Sequence, residues 1–254
     1  METHIIYIGV VFVLAGVVKG VTGMGLPTVA MALLSLFVPP LEAAALLIVP
    51  SLLTNVWQLA SGEPVFPLWQ RFWPMLVAIC LGTLAGSAMF AVVGSAPAGD
   101  GGSLGASWSA NATLGVALAI YGILGLLAIR FTVPEGAEPW LSPVIGALTG
   151  LLTAASGVFT LPAVPYLQAL GLKRDELVQA MGLSFTVSTA ALAVTLAMHD
   201  ALHPAVAGAS LLAQFPAMAG MYLGTWLRQR MNPVLFRRCF FGTLIALGGH
   251  LALA

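Results

Sequence analysis

Lys19 stands in an otherwise apolar stretch, at the edge of a run rich in glycine: Gly16-Val17-Val18-Lys19-Gly20-Val21-Thr22-Gly23-Met24-Gly25-Leu26-Pro27. A charge in such surroundings is expensive, which makes it a functional candidate by default. The glycines and Pro27 predict a break in the helix. The half-helix that follows would present unpaired backbone N–H groups and a dipole that favours an anion. Lys19, the Thr22 hydroxyl and the backbone at Gly23 and Gly25 together make an anion site. The plainer reading is that Lys19 pairs with Glu42 or snorkels to an interface, since about 14 apolar residues precede it.

A second break, across residues 153–162, carries together with the turn before it Thr149, Thr153, Ser156, Gly157 and Thr160, with no charge. Thr153, Ser156 and Gly157 could complete the site from the opposite side. Serine and threonine also stitch membrane helices together and satisfy backbone groups freed by a break, so the hydroxyls have an ordinary role too. Polar residues recur within the helix after each break: Thr54, Asn55 and Gln58 in one, Ser184, Thr186, Ser188 and Thr189 in the other. A buried asparagine needs partners, from a neighbouring helix or a substrate. Asn55 and Thr189 occupy related positions, and Asn55, Ser184 and Thr189 join Lys19 as candidate contacts. Pro50, inside the same helix as Asn55, frees a further carbonyl.

Other clusters read as structural. His199, Asp200 and His203 imitate a metal site, but Pro204 follows at once and a zinc set is incomplete, so no metal or other cofactor is expected. Arg228, Arg230, Arg237 and Arg238 surround Asn232-Pro233, where anchoring at lipid headgroups accounts for them. Cys80 and Cys239 lie in apolar segments and read as small buried residues.

The elements that must position these residues follow from composition. Of 254 residues, 59% are hydrophobic and 7% charged, where a soluble domain has roughly 25% charged. Apolar runs at residues 41–60, 72–93, 113–129 and 206–227 approach the length of about 20 residues that crosses a bilayer as a helix. Backbone groups in lipid must be paired internally, which selects helices. The expected fold is therefore all-α, a polytopic transmembrane helical bundle whose main partner is the lipid bilayer. The formal net charge is zero and no basic patch interleaves with aromatics, which argues against nucleic acid as a partner. No basic residue precedes Lys19, so the first segment is not expected to be a cleaved signal peptide.

The chain divides at a polar stretch, residues 131–141, into a first transmembrane repeat (1–130) and a second (142–254). Gly16-x-x-x-Gly20 recurs as Gly146-x-x-x-Gly150, an acidic helix start at Glu42 recurs at Asp175 and Glu176, and Gly82-x-x-x-Gly86 recurs as Gly220-x-x-x-Gly224. In each half the opening apolar pieces, such as 5–18 and 28–38, are too short to cross singly. They form either one broken crossing or a re-entrant hairpin. Lysine and arginine favour cytoplasmic loops. With hairpins, Arg71, Arg130, Lys173, Arg174, Arg228, Arg230, Arg237 and Arg238 all fall on one face, together with the connecting stretch. With single crossings they divide between faces. The hairpin reading gives three full crossings per half, hence two inverted repeats, the architecture of many secondary transporters.

The first break, followed by an alanine-rich helix ending Leu47-Ile48-Val49-Pro50-Ser51-Leu52-Leu53-Thr54-Asn55, resembles the sulfite exporter TauE/SafE family, and the second break resembles that family's second repeat. The resemblance covers essentially the whole chain. It implies a multi-pass carrier of the bacterial inner membrane that moves sulfite, a sulfonate or a related small sulfur-containing or organic anion, with export the expected direction, by alternating access at a midplane site. The breaks here have fewer glycines than many members carry, with Ala154-Ala155 and Phe159-Thr160 in the second, which reshapes the pocket. No nucleotide-binding loop is present, so protons or the membrane potential are the expected drive, and a homodimer is an open expectation. A passive anion channel shares the same site chemistry. A membrane-embedded enzyme needs an adjacent nucleophile and base, whereas the acids all fall near loops or interfaces.

Overall fold

The computed structural model describes residues 2–60, 64–94, 110–127, 132–134, 136–199, 202, 204–228, 230 and 233–253. Arg130, Glu63, Asp100, Glu135, Asp200, His203 and Asn232 lie outside the described residues, as does the side chain of Arg174. The chain forms α1 (Glu2–Thr22), α2 (Leu26–Leu34), α3 (Pro40–Ala60), α4 (Phe66–Gly94), α5 (Ala110–Leu127), α6 (Glu138–Ser156), α7 (Ala163–Ala169), α8 (Arg174–Met198), α9 (Pro204–Arg228) and α10 (Pro233–Leu253), with no strand among the described residues. Within α3, α4, α8 and α9 lie stretches long and apolar enough to cross a membrane; α1, α5 and α10 contribute shorter apolar stretches.

The first break is narrower than its glycines predict. α1 runs unbroken through Gly16, Lys19 and Gly20, because those glycines face α9. A side chain at Gly16 would collide with the Ala217 carbonyl, and one at Gly20 with the Met221 carbonyl. Gly220 and Gly224 of α9 press in turn on Val13 and Val17. Helices in lipid gain no hydrophobic drive to associate, so such close backbone contact is what holds them. Only residues 23–25 leave the helix, with Gly23 at φ 78° and Gly25 at φ 94°, left-handed values that suit glycine. Pro27 then sits in the first turn of α2, where its missing N–H costs nothing. The second break is narrower in the same way: α6 continues to Ser156 and ends on Gly157 at φ 67°.

Both short helices fold back along the helix before them. The Tyr7 hydroxyl donates to the Leu33 carbonyl, and its ring meets Phe37 edge-on with centroids 4.3 Å apart. The chain therefore returns to the end of the bundle where α1 began. In α7, Tyr166 shares a 2.5 Å hydrogen bond with Ser142, and the Val133 N–H donates to the Ala169 carbonyl at 3.1 Å. Each opening segment is thus a hairpin, not a single broken passage.

Around these hairpins α1 packs along α9, α4 along α6 and α5 along α10, while α3 contacts α8 and α9 and α8 contacts α4. α3 and α8 are antiparallel: Gln58 near the end of α3 donates to the Val178 carbonyl near the start of α8 at 2.7 Å. Pro50 does not open α3. The carbonyl it deprives of a partner, that of Leu46, accepts a 2.7 Å bond from the Ser210 hydroxyl of α9. α4 and α6 are tied at one end by an exposed ion pair, Arg71 to Glu138 at 2.6 Å.

Candidate functional site

Lys19 occupies the last turn of α1 and is 3% exposed. The contacts of Gly20 put it level with Met221 and Thr225 of α9, about one to two turns short of Arg228. Its Nζ donates to Thr54 Oγ1 at 3.0 Å and to Asn55 Oδ1. The Thr54 hydroxyl spends its own proton on the Pro50 carbonyl at 2.6 Å, so toward Lys19 it can only accept. Asn55 directs its carbonyl oxygen at the ammonium, which leaves the Nδ2 donor buried with no partner. Glu42 is exposed in the first turn of α3, at the opposite end of that helix from Thr54, and does not neutralise Lys19. No acidic side chain among the described residues pairs with it.

Lys19 forms part of the wall of a cavity of about 590 Å³ shared with Gly20, Gly23, Thr54, Gln58 and Gln179, with Asp175 and Arg228 also in its lining. An ammonium has three protons, and two are engaged, leaving one for a ligand. A buried charge is tolerated when it is hydrogen-bonded and paired; here the hydrogen bonds are present and the counter-charge is missing. The Thr22 hydroxyl turns inward to the carbonyls of Val18 at 2.9 Å and Met24 at 2.6 Å. Gly25 precedes α2 and packs near Val18 and Phe240.

The second break lines a separate cavity of about 370 Å³ at the other end of α3 and α8, walled by Thr153, Ser156, Gly157, Ser87 and Thr195, with Pro40 and His199 beside them. Of the residues proposed from sequence, Lys19 and Gly23 share the first cavity with Asn55 directly behind them, and Thr153, Ser156 and Gly157 share the second. Ser184 and Thr189 are buried in α8 and donate to the carbonyls of Ala180 and Phe185 at 2.9 and 2.7 Å; they belong to the lining of neither cavity. The segments after the two breaks meet where Thr28 Oγ1 lies 3.3 Å from Thr160 Oγ1, both hydroxyls fully buried.

Sequence reasoning missed Gln179, Thr28 and Trp57, another wall residue of the first cavity. A glutamine near the start of an apolar helix was the available signal for Gln179. Nothing in the sequence distinguishes Thr28 from a helix-packing threonine.

The two breaks share a hydrogen-bond pattern. Gly23 N–H donates to the Lys19 carbonyl at 2.7 Å, and Gly157 N–H to that of Thr153 at 2.8 Å. Thr22 and Ser156 return their hydroxyls to Val18 and Leu152, and accept from the N–H groups of Met24 and Val158. In this register Lys19 answers to Thr153, four residues before the left-handed glycine in each case. Gly16, packed on Ala217 and Met221, then answers to Gly150, packed on Ile79 and Thr83, and not to Gly146 as the glycine spacing alone reads.

Compared with known proteins, residues 8–251 match the family model described as Sulfite exporter TauE/SafE. Neither the curated proteins nor the solved structures give a match.

Proposed function

The chain belongs to the sulfite exporter TauE/SafE family, a family of membrane transporters, and from that premise we propose that it carries a small sulfur-containing anion, sulfite or a sulfonate, on Lys19. One observation supports this above all: a buried ammonium with no counter-ion among the described residues stands beside the orphaned Asn55 amide donor. An anion at that point accepts from both and supplies the missing charge. Burying a lysine in mid-membrane costs roughly 2.5–3.5 kcal/mol, and each hydrogen bond to a charged group returns about 1.5–3 kcal/mol. Thr54 and Asn55 therefore keep the empty site standing, and the anion adds binding energy on top.

The halves 1–130 and 142–254 act, on this reading, as two inverted repeats that rock about the buried Thr28–Thr160 contact, which we take as the barrier between the cavities. A carrier needs such a barrier; an open channel does not. The Lys19 cavity opens at the end of the bundle that carries Arg71, Lys173 and Arg228. Placed in a bacterial inner membrane by the bias of basic residues toward the cytoplasm, it loads from inside, which favours export.

Ligand-dependent unfolding of the purified protein tests the site. Sulfite should raise the melting temperature saturably, as mass action requires for a ligand bound only by the folded state. Lys19→Met should keep the fold and abolish the rise. An unchanged rise in that variant removes Lys19 from the site.

A further inference from the structure

Building on the anion reading of Lys19, we propose that this site is matched in charge to a monoanion. The loaded carrier is then a neutral pair, and the membrane potential acts on the empty carrier as it resets. Among the described residues, three charged side chains line the first cavity: Lys19, Arg228 and Asp175. Arg228 stands in the last turn of α9 and Asp175 in the first turn of α8. Both are exposed, where water and salt screen them. Lys19 alone of the three is buried. One negative charge balances it; a dianion leaves a whole charge buried without compensation.

Donors in the same wall are few. Lys19 keeps one proton for a ligand. The Thr54 hydroxyl donates to the Pro50 carbonyl at 2.6 Å and that of Thr225 to the Tyr222 carbonyl at 2.7 Å. Gln58 gives an amide proton to the Val178 carbonyl at 2.7 Å. The hydration that an ion surrenders grows with the square of its charge, and a wall so short of donors repays a monoanion far better than a dianion. For sulfite the cargo is the singly protonated ion, bisulfite; a sulfonate qualifies as it stands.

The second cavity points the same way. Among its described lining residues there is no aspartate, glutamate, lysine or arginine, and His199 lies exposed at the end of α8. Thr153 and Thr195 donate to carbonyls of their own helices at 2.7 and 2.9 Å. That wall offers an anion no buried counter-charge to replace Lys19. The charge states of the cycle follow. With a monoanion bound, the site sums to zero and the potential does no work on it. Empty, the site carries one positive charge, and the field falls across whichever barrier is closed. A potential negative inside draws it back to face the cytoplasm, so export needs no co-ion.

Proteoliposomes under a potassium–valinomycin potential, with equal pH on both sides, separate the two limbs. Labelled sulfite leaving into anion-free buffer requires the empty site to reset; leaving into saturating unlabelled sulfite, it does not. An inside-negative potential of about 100 mV should raise net efflux roughly three- to sevenfold and leave exchange unchanged. In Asn55→Asp the added carboxylate neutralises the empty site, and the sensitivity should pass from net efflux to exchange. If that variant fails to fold or to carry, the wild-type comparison alone decides. Exchange that varies with potential, or net efflux that does not, overturns the charge match and leaves Lys19 as the binding site. Absence of Lys19-dependent flux in both modes overturns the anion reading itself, and the charge match with it.

Discussion

At Lys19 the balance between a structural and a functional charge turns on what surrounds the ammonium. A lysine serving packing would have been neutralised by a carboxylate, and Glu42 is the residue that sequence offered for it. Instead Thr54 and Asn55 accept two of its protons, and both partners are neutral. Asn55→Asp is therefore informative. The new carboxylate would sit against the ammonium and supply the counter-charge that the anion otherwise brings. The variant should fold, melt at or above the wild-type temperature, and lose sulfite-dependent stabilisation by tenfold or more in apparent affinity. Thermal unfolding across a sulfite titration reads both effects; wild-type affinity in this variant would mean the anion binds elsewhere. Lys19 and Asn55 were legible from the cost of polar groups in an apolar run. Their direct bond, across 36 residues of chain, was not, because it depends on how α1 and α3 are placed against each other.

Among the helices, glycine carries two roles that look alike in sequence. Gly23, Gly25 and Gly157 take left-handed backbone where helices stop or start, whereas Gly16, Gly20 and Gly150 sit within helices and admit a neighbouring backbone. The two breaks were therefore visible but drawn too wide, and the glycine pairs that open the two halves were matched one turn out of register. The hydroxyls of Ser184 and Thr189 misled for a related reason: in a helix a serine or threonine can spend its proton on its own i−4 carbonyl, and spacing does not reveal that. Packing and electrostatics also differ in weight here. Gly220→Val drives a side chain into Val13 and should destabilise by about 1–3 kcal/mol or more. Glu138→Gln breaks an ion pair whose side chains are 41% and 27% exposed, and should cost less than about 1 kcal/mol. Melting temperatures of the two variants in detergent check the order, and a larger loss from Glu138→Gln would contradict it.

For the molecule as a whole, each hairpin returns to the end where it began, and the proposed inverted repeats would point them in opposite directions along the bundle. The cavities follow the same relation, one at each end of the antiparallel pair α3 and α8. Helical membrane architecture was fully readable from composition and apolar run length. The contact of Thr28 with Thr160 was not, because it joins hydroxyls 132 residues apart in the chain. Single cysteines placed at Pro40 and Lys173, in a background without Cys80 and Cys239, should label from opposite faces of sealed vesicles, and labelling from the same face would contradict the inverted arrangement. The central claim, that Lys19 carries the anion, meets its most direct measurement in proteoliposomes. Labelled sulfite should move saturably down an imposed gradient through the wild-type protein, and Lys19→Met, reconstituted to equal density, should fall to the level of empty liposomes. Flux that persists at wild-type rate and affinity in that variant would contradict the account.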